Sequence, residues 1–509
     1  MKFFNISWLK FVILSAIYIS SINFKLFDYI YTNLSANDNS LMIILYVIIY
    51  FCLLVGIFSL LFLPYLSKFF AILFVSVSSF SGYFMLNYGV IIDHDMIRNA
   101  VQTDKKEVLD LLNVNMFLYI FATCVLPIFF IIKFKINYGT FKKHLIIKFS
   151  TLFISLVIAF GLFAIFSKTI MPFLRTYNQA RVYNTPFYQI YSALKYAKLE
   201  ILPKKEFKKI SLDANLSTKE KKLMILVVGE TARTANFSLA GYKNNDTNFY
   251  TKNKNVTFFN NISSCGTATA VSLPCMFSIS KKDEFSNSEF QENILDVLQR
   301  VGVSVSWFDN NSGGCKGVCD RLNNVKLFSN KYDGFLIDEV KNQLKNLKDQ
   351  NVIVLHLQGS HGPTYYKRYP DEFKKFNPTC DTNELQKCTQ EELYNTYDNT
   401  ILYTDFIISK LIDLLKNEKN YQSLLLYISD HGENLGENGV YLHGMPYFIA
   451  PKEQTNIPMM IWSNDKQINQ IALEKKEKNL SHDNLFSTLL GFFNVSTKDY
   501  EKNYDILKK

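Results

Sequence analysis

The uneven placement of apolar residues constrains this chain most. Five long apolar stretches, at residues 11–24, 41–63, 69–92, 116–134 and 149–170, fall within the first third of its 509 residues, and none recurs afterwards. Most approach the ~20 residues that a helix needs to cross a bilayer. The sequence therefore predicts a membrane half joined to a soluble half. The formal charge of +10 is too diffuse along the chain to mark a nucleic-acid-binding surface.

Basic loops stay on the cytoplasmic side of a membrane. The segment before the fifth stretch carries Lys133, Lys135, Lys142, Lys143 and Lys148 and no acid, whereas residues 93–111 carry five acids against Arg98, Lys105 and Lys106. Counting spans from Lys2 and Lys10 at a cytoplasmic amino terminus then puts everything after Met171 on the far side. The first stretch is short enough to be a signal peptide, but no small-residue cleavage site stands near Phe24. Its removal would leave four spans and the same final side.

Cysteine usage agrees with export. Cys52 and Cys124 lie in apolar stretches, while Cys265 with Cys275, Cys315 with Cys319 and Cys380 with Cys388 form close pairs in the soluble half. Short local loops make neighbour pairing the simplest expectation in an oxidising compartment.

Three regions are expected: a transmembrane domain at 1–171, an interfacial bridge at 172–214 with Pro186 and Pro203 as breakers, and a catalytic domain at 215–509. In the last, short apolar runs at 223–228, 301–307, 352–357 and 424–428 alternate with amphipathic stretches at 289–300 and 396–417. That rhythm predicts an α/β fold with a largely parallel sheet. Ligands bind beyond the carboxyl ends of such strands. Glu230 and Thr231 follow the first run, Asp309 the second, His361 the third, and Asp430, His431 and Glu433 the fourth.

The strongest local signal is SDHGE at 429–433, where an acid and a histidine leave a buried strand together. Both suit zinc, although in isolation an Asp–His turn capping a helix would look the same. Glu230, in VVGET, is the matching donor, and Gly229 is expected to let the backbone turn sharply beneath the ion. Segment 263–278, SSCGTATAVSLPCMFS, packs hydroxyls and small residues between two cysteines. A helix starting there would aim its amides at a phosphate. A metal-activated threonine there would attack phosphorus, with Thr267 and Thr269 both candidates. His361 and His443 stand in glycine- and proline-containing loops, as second-metal ligands or as groups that neutralise and protonate phosphate oxygens. Lys316, between Cys315 and Cys319, is a natural point charge for phosphate, or an ordinary surface lysine.

These motifs resemble one family along the whole chain: the phosphoethanolamine transferases that modify lipid A, which include the mobile colistin-resistance enzymes and belong to the alkaline-phosphatase-like superfamily. The resemblance is carried by VVGETAR, SCGTATAVSLPCMFS, GSHGPTYY, YDNTILYTD, SDHGENLGE and YLHGMPYFIAP, with DNNSGGCKGVCD as a variant of DNNSGCKGVCD. It implies five transmembrane helices and a periplasmic α/β/α sandwich of the alkaline-phosphatase/sulfatase type, in a multi-pass protein of the bacterial inner membrane. It also implies Zn²⁺ held by Glu230, Asp430 and His431, with Thr269 as nucleophile and fourth ligand and a second zinc allowed for. His361, His443, Lys316 and Glu433 match positions that hold the transferred group, and Asn99, Thr103 and Glu107 match positions associated with the ethanolamine end of the donor. The additional glycine, Gly313 with Gly314, alters the spacing near Lys316. Neighbour-paired disulfides are implied as well.

The implied reaction moves phosphoethanolamine from phosphatidylethanolamine to lipid A, lipooligosaccharide or a related glycolipid through a phospho-threonine, releasing diacylglycerol. Resistance to polymyxin-type peptides is the expected consequence, and a monomer in the bilayer the expected state. A sulfatase would show Cys or Ser followed by x-Pro-x-Arg, which neither Cys265 nor Cys275 does. Glycerol-phosphate transfer on the same scaffold is the nearer rival. A non-catalytic lipid-binding protein would have no need of the zinc ligands.

Overall fold

The computed structural model describes residues 4–34, 39–103, 105–201 and 206–509; Lys2, Pro203 and the side chains of Lys106 and Glu107 lie outside the described residues. The chain divides into two compact units, one formed by 1–94 with 112–195 and the other by 95–111 with 196–509.

Among the described residues of the first unit, four helices are long and apolar enough to cross a membrane: Met42–Leu61, Ser67–Asn87, Val114–Lys133 and Phe141–Ile165. A fifth span exists only if Trp8–Ile22 and Phe24–Asn33, bent by 56°, count together. The expected five stretches thus map to four or five spans, with shifted bounds. The last helix begins at Phe141 rather than near Phe149, so Lys142, Lys143 and Lys148 ride on its first turns instead of in a loop. Lysine stems there can lie along apolar surface while the ammonium reaches the interface. Helix Asn39–Leu61 meets Phe141–Ile165 closely at Gly56, where a Cβ would come 3.1 Å from Ser155 Oγ; small residues allow such approach between spans. Phe58 stacks on Phe62 and Phe74 in the interior, while Phe117, Phe121, Phe153 and Phe160 stay exposed on the outside.

The second unit is built on an eight-stranded sheet. Its strands are β1 (Lys222–Gly229), β2 (Thr257–Ser263), β3 (Ser304–Asp309), β4 (Asn324–Leu327), β5 (Gln350–His356), β6 (Gln422–Ser429), β7 (Asn456–Ser463) and β8 (Leu480–Ser481), in the order β8-β2-β7-β6-β1-β5-β3-β4. Every neighbouring pair is parallel except β7, which runs against both β6 and β2. β2 and β7 escaped the reading of apolar runs for physical reasons. β2, TFFNNIS, mixes polar and aromatic residues, and β7 contains Pro458, where its register with β2 shifts. Proline cannot donate to a ladder and sits at such irregularities.

The sheet is covered on both faces. Met224, Leu226 and Val228 of β1 join one core with helices α1 (Thr269–Met276) and α2 (Ile294–Arg300). Leu223, Ile225 and Val227 join the other with α3 (Leu336–Leu344) and α4 (Gln390–Asn417). This alternation produces an α/β/α sandwich. α4 starts with a capping box of Thr389 and Glu392. Leu426, in β6 at the sheet's centre, is fully buried. Leu426→Ala is expected to cost about 2–5 kcal/mol, measured by denaturant unfolding of the full-length protein in detergent.

Candidate active site

β1 and β6 lie side by side, with Gly229 level with Ser429. The residues that follow, Glu230 and Asp430, therefore leave the sheet as neighbours, tied by a bond from Asp430 N–H to the Gly229 carbonyl (3.0 Å). Gly229 is required here because a Cβ would meet the Tyr427 hydroxyl at 2.6 Å. The sharp turn expected at Gly229 is made instead by Thr231, whose φ is +58°.

Glu230, Asp430 and His431 place one ligand atom each within 4.8 Å of one another, all buried. His431 Nδ1–H donates to the Gly432 carbonyl (2.9 Å), which turns Nε2 toward the cluster: 3.2 Å from Thr269 Oγ1 and 3.4 Å from both Glu230 and Asp430. A second hydrogen bond of this kind fixes the tautomer of metal-ligating histidines. Asp430 Oδ1 accepts from the backbone of His431 and Thr231, but Oδ2, though buried, makes no hydrogen bond. A buried carboxylate oxygen without a hydrogen bond is costly, and the 3.4 Å approach of His431 Nε2 does not supply one. Two carboxylates and an imidazole are also a donor set that zinc takes.

The electrostatics point the same way. Burial, together with the charge of Glu230, pushes Asp430 up to about 6. Glu230 is held well below the usual carboxylate range: burial opposes this, but hydrogen bonds from His361 and His431 and their charges outweigh it. His431 is raised to about 9, because Asp430 and Glu230 overcome the effect of burial. A divalent cation would offset the carboxylates more completely than one imidazolium.

Thr269 begins α1, and its hydroxyl donates to Glu230 Oε2 (3.0 Å). Thr267 points elsewhere, donating to the Met445 carbonyl (2.6 Å). The geometry therefore separates the two threonines that the segment alone left equivalent. His361 Nδ1 lies 3.1 Å from Glu230 Oε1, and His443 Nδ1 lies 3.2 Å from Glu433 Oε1. Their rings stand 5.6 Å apart, with His443 also 4.4 Å from His431. Glu433 Oε2 accepts from the Tyr365 hydroxyl (2.9 Å).

The remaining expected residues are more peripheral. Lys316 is half-buried with φ +49°, and its ammonium donates to the Gln102 carbonyl (3.3 Å). The additional glycine makes room for it, since a Cβ on Gly313 would lie 2.8 Å from Lys316 Nζ. Asn99 lies on helix His94–Gln102, and the Thr103 hydroxyl donates to its carbonyl (2.7 Å). The Glu107 side chain lies outside the described residues. The six cysteines of this unit pair as neighbours: Cys265–Cys275, Cys315–Cys319 and Cys380–Cys388. Asp309 joins Trp307 Nε1 (2.8 Å) and His356 Nδ1 (3.1 Å) beneath the cluster rather than within it.

Two contributors were missed from sequence. Asn311 donates to Glu230 Oε2 (2.8 Å) from the DNNSGG motif. His482 donates from Nε2 to the Ser429 carbonyl (2.9 Å) and accepts Cys265 N–H at Nδ1 (3.0 Å). It thereby links the end of β6, just before Asp430, to the loop carrying Thr269. Burial lowers its pKa to about 4, so it stays neutral. No sequence signal marks it, because it lies in the loop after β8, far along the chain from either partner.

A sandwich with ligand groups at its central strand ends and a threonine at a helix start defines a protein of the sulfatase type, and residues 222–495 match the Sulfatase family. Residues 50–201 match a second family, described as phosphoethanolamine transferase EptA/EptB. The chain is 40% identical over 464 residues to phosphoethanolamine transferase EptA of Escherichia coli K12, covering 86% of this chain and 84% of that protein. The integral membrane lipooligosaccharide phosphoethanolamine transferase A of Neisseria meningitidis superposes with a TM-score of 0.93 at 32% identity, covering 99% and 98% of the two chains. The C-terminal periplasmic domain of phosphoethanolamine transferase EptC from Campylobacter jejuni matches at 65% identity and a TM-score of 0.58, covering 59% of this chain and 97% of that domain. The chain belongs to the EptA-type phosphoethanolamine transferase family.

Gly432 sits between His431 and Glu433, and a Cβ there would come 2.0 Å from the Glu453 carbonyl oxygen, which is itself bonded to Glu433 N–H. Gly432→Ala is expected to cost about 1–3 kcal/mol, measured as a fall in the unfolding midpoint of the full-length protein. Gly161→Ala, inside the helix Phe141–Ile165 and with nothing within 4 Å of the added carbon, should not lower the midpoint.

Proposed function

We propose that this chain transfers phosphoethanolamine from phosphatidylethanolamine to lipid A or a related surface glycolipid, through a phosphorylated Thr269. The supporting observation is the position of Thr269 Oγ1, 3.0 Å from Glu230 and 3.2 Å from His431, beside the three converging donors. The names of the relatives, phosphoethanolamine transferases with lipooligosaccharide among their substrates, support the transferred group and the acceptor class.

Glu230, Asp430 and His431 are the residues that would hold Zn²⁺, with Thr269 Oγ1 beside them. Zinc bound there would act as a Lewis acid and lower the pKa of the threonine hydroxyl. In the first displacement, Thr269 Oγ1 attacks phosphorus, the bond from phosphorus to the diacylglycerol oxygen breaks, and the threonine proton leaves toward Glu230. The departing diacylglycerol oxygen takes a proton from Nε2 of His361 or His443. Their Nδ1 atoms, held by Glu230 and Glu433, set that orientation. In the second displacement an acceptor oxygen attacks the phospho-threonine, the bond from phosphorus to Thr269 Oγ1 breaks, Glu230 returns the proton to Thr269 Oγ1, and the acceptor's proton passes to the histidine that gave one up in the first step.

The helices of the first unit suit a multi-pass inner-membrane protein, with the catalytic domain from about residue 215 in the periplasm and the bridge 172–214 before it. The three disulfides fit that oxidising compartment. Asn99, Thr103 and Glu107 are assigned to the ethanolamine end of the donor, and Lys316 to the transferred phosphate.

Thr269→Ala is expected to abolish both the phospho-protein and phosphoethanolamine transfer, while Thr267→Ala keeps both. The checks are mass spectrometry of the protein after incubation with phosphatidylethanolamine, and of lipid A and surface glycans from cells with and without it. Persistence of transfer in Thr269→Ala would rule out the nucleophile. Purified wild-type protein should carry zinc, and Asp430→Ala should lose it, as read by elemental analysis. Polymyxin susceptibility should rise in cells expressing Thr269→Ala or Asp430→Ala compared with wild type.

A further inference from the structure

Within the first unit, the helix Val114–Lys133 is held to its neighbours at two levels. Pro127 has no N–H to give to the Thr123 carbonyl four residues before it. That carbonyl, in the π-helical turn Phe121–Val125, accepts instead from the hydroxyls of Tyr18 and Ser79. Past Lys133 the chain continues into a short strand, Phe134–Asn137, paired in parallel with Phe4–Ser7. Phe134 also meets Phe11 edge-on, with ring centres 6.3 Å apart.

Between these two levels lies a groove of about 350 Å³, within the size range of ligand pockets. Phe11, Leu14 and Tyr18 line it from helix Trp8–Ile22, Ala71 from Ser67–Asn87, and Phe130 and Ile131 from Val114–Lys133. Phe11 to Tyr18 is two turns, about 10 Å along the axis. Among the described residues its polar side chains are both taken: Ser15 donates to the Phe11 carbonyl (2.8 Å), and Tyr18 to Thr123. The groove therefore offers its occupant no hydrogen bond, and a polar group placed there would lose its water without compensation. In a membrane span the occupant with that chemistry is an acyl chain.

One end of the groove is basic. Lys10 stands one turn before Leu14 and Lys68 one turn before Ala71, so each lies on the groove-facing side of its helix at the end nearest the strand pair. Lys10 is exposed, and the half-buried Lys68 donates to the Ile132 carbonyl (2.8 Å). An ammonium has three donors, so Lys68 keeps two for another acceptor. Residues 4–10, 62–68 and 133–148, which meet at this end, include lysines and no aspartate or glutamate. That composition marks the cytoplasmic side. Basic pockets between spans on that side bind anionic lipid headgroups. A zwitterionic headgroup would bring a cation of its own against the lysines.

We propose that this groove is a site for an anionic glycerophospholipid of the cytoplasmic leaflet, with one acyl chain between helices Trp8–Ile22 and Val114–Lys133 and the phosphate between Lys10 and Lys68. The lipid fills space that the two pinned helices leave between them, and so braces the first unit. It is distinct from the proposed donor, whose headgroup carries an ammonium, and the proposal stands independently of the transfer reading.

The test uses full-length protein, stripped of lipid in detergent and titrated with phosphatidylglycerol or phosphatidylcholine, with bound lipids counted by native mass spectrometry. One phosphatidylglycerol is expected to bind more tightly than any phosphatidylcholine. A lysine near the membrane surface adds about fivefold to the binding of an anionic lipid. Lys68→Gln should therefore weaken phosphatidylglycerol about fivefold and leave phosphatidylcholine unchanged. Lys143→Gln, on the helix Phe141–Ile165, which does not line the groove, should change neither. Ala71→Phe, which puts a ring into the groove, should abolish the tight phosphatidylglycerol site. Lys68→Gln leaves the packing of the groove intact, so it decides the question even if Ala71→Phe fails to fold. Equal binding of the two lipids, an equal loss in Lys143→Gln and Lys68→Gln, or a tight phosphatidylglycerol site persisting in folded Ala71→Phe would overturn the proposal.

Discussion

Two parallel strands in register place a pair of carboxylates side by side in a buried pocket, and the side chains around the site are arranged about that repulsion. Gly229 and Ser429 are level, so Glu230 and Asp430 have no freedom to diverge. Asp430 is pushed up to about 6 by burial and by Glu230. His431, His361 and Asn311 all turn toward Glu230. Even so, Asp430 Oδ2 is left without a hydrogen bond. A site that gathers neutral and cationic donors around one carboxylate, the Thr231 and Thr269 hydroxyls among them, and still leaves an oxygen of the other without a hydrogen bond suits a cation as its completing partner.

The nucleophile has to be held against this cluster although it comes from a different part of the sheet. Thr269 follows β2, which is separated from β6 by the reversed strand β7. Three contacts close that gap. Ser272 Oγ donates to the Asp430 carbonyl (2.5 Å) and accepts Gly266 N–H (3.3 Å). His482 joins Ser429 to Cys265. The Cys265–Cys275 disulfide ties the start of the loop to the far end of α1. None of these acts on the Thr269 side chain, so the hydroxyl keeps its bond to Glu230.

This division explains what could be read from sequence and what could not. The ligand groups were legible because each follows an apolar run, and in a parallel sheet the ends of such runs share one edge. The sandwich was legible from the same rhythm. The supporting contacts were not, because hydrogen bonds such as Cys265 to His482 span 217 residues and leave no periodicity. Gly229 was misread for a related reason: the sequence shows that a side chain is unwelcome there, but not whether the backbone or Tyr427 excludes it. Thr267 and Thr269 are alike in composition and differ only in what faces them. In the membrane half, hydropathy marked the spans but not their bounds, since lysines at 142, 143 and 148 lower it across turns that are helical all the same.

The segment 95–111 belongs with the second unit although both of its sequence neighbours belong with the first. By sequence it is a loop between apolar helices, yet it belongs to the unit that carries the active site. Its hold is specific at both ends. Arg98, almost fully buried, binds Asp95 and Glu200. Asp110 accepts from Thr364 (2.9 Å) and Lys367 (2.6 Å) and pairs with Arg368 (3.4 Å). Burial alone would raise the Asp110 pKa, but the bonds from Lys367 and Thr364 and the charges of Arg368 and Lys367 bring it below its usual value, so it is ionised and anchored. The chain therefore passes between the units three times, at 94/95, 111/112 and 195/196, instead of once. Asn99 and Thr103, proposed above to meet the donor, lie on the part of the chain that is covalently continuous with apolar helices on both sides and held to the second unit by ion pairs. A lipid substrate engaging them would be engaging the active-site unit directly, without any need for a separate carrier domain.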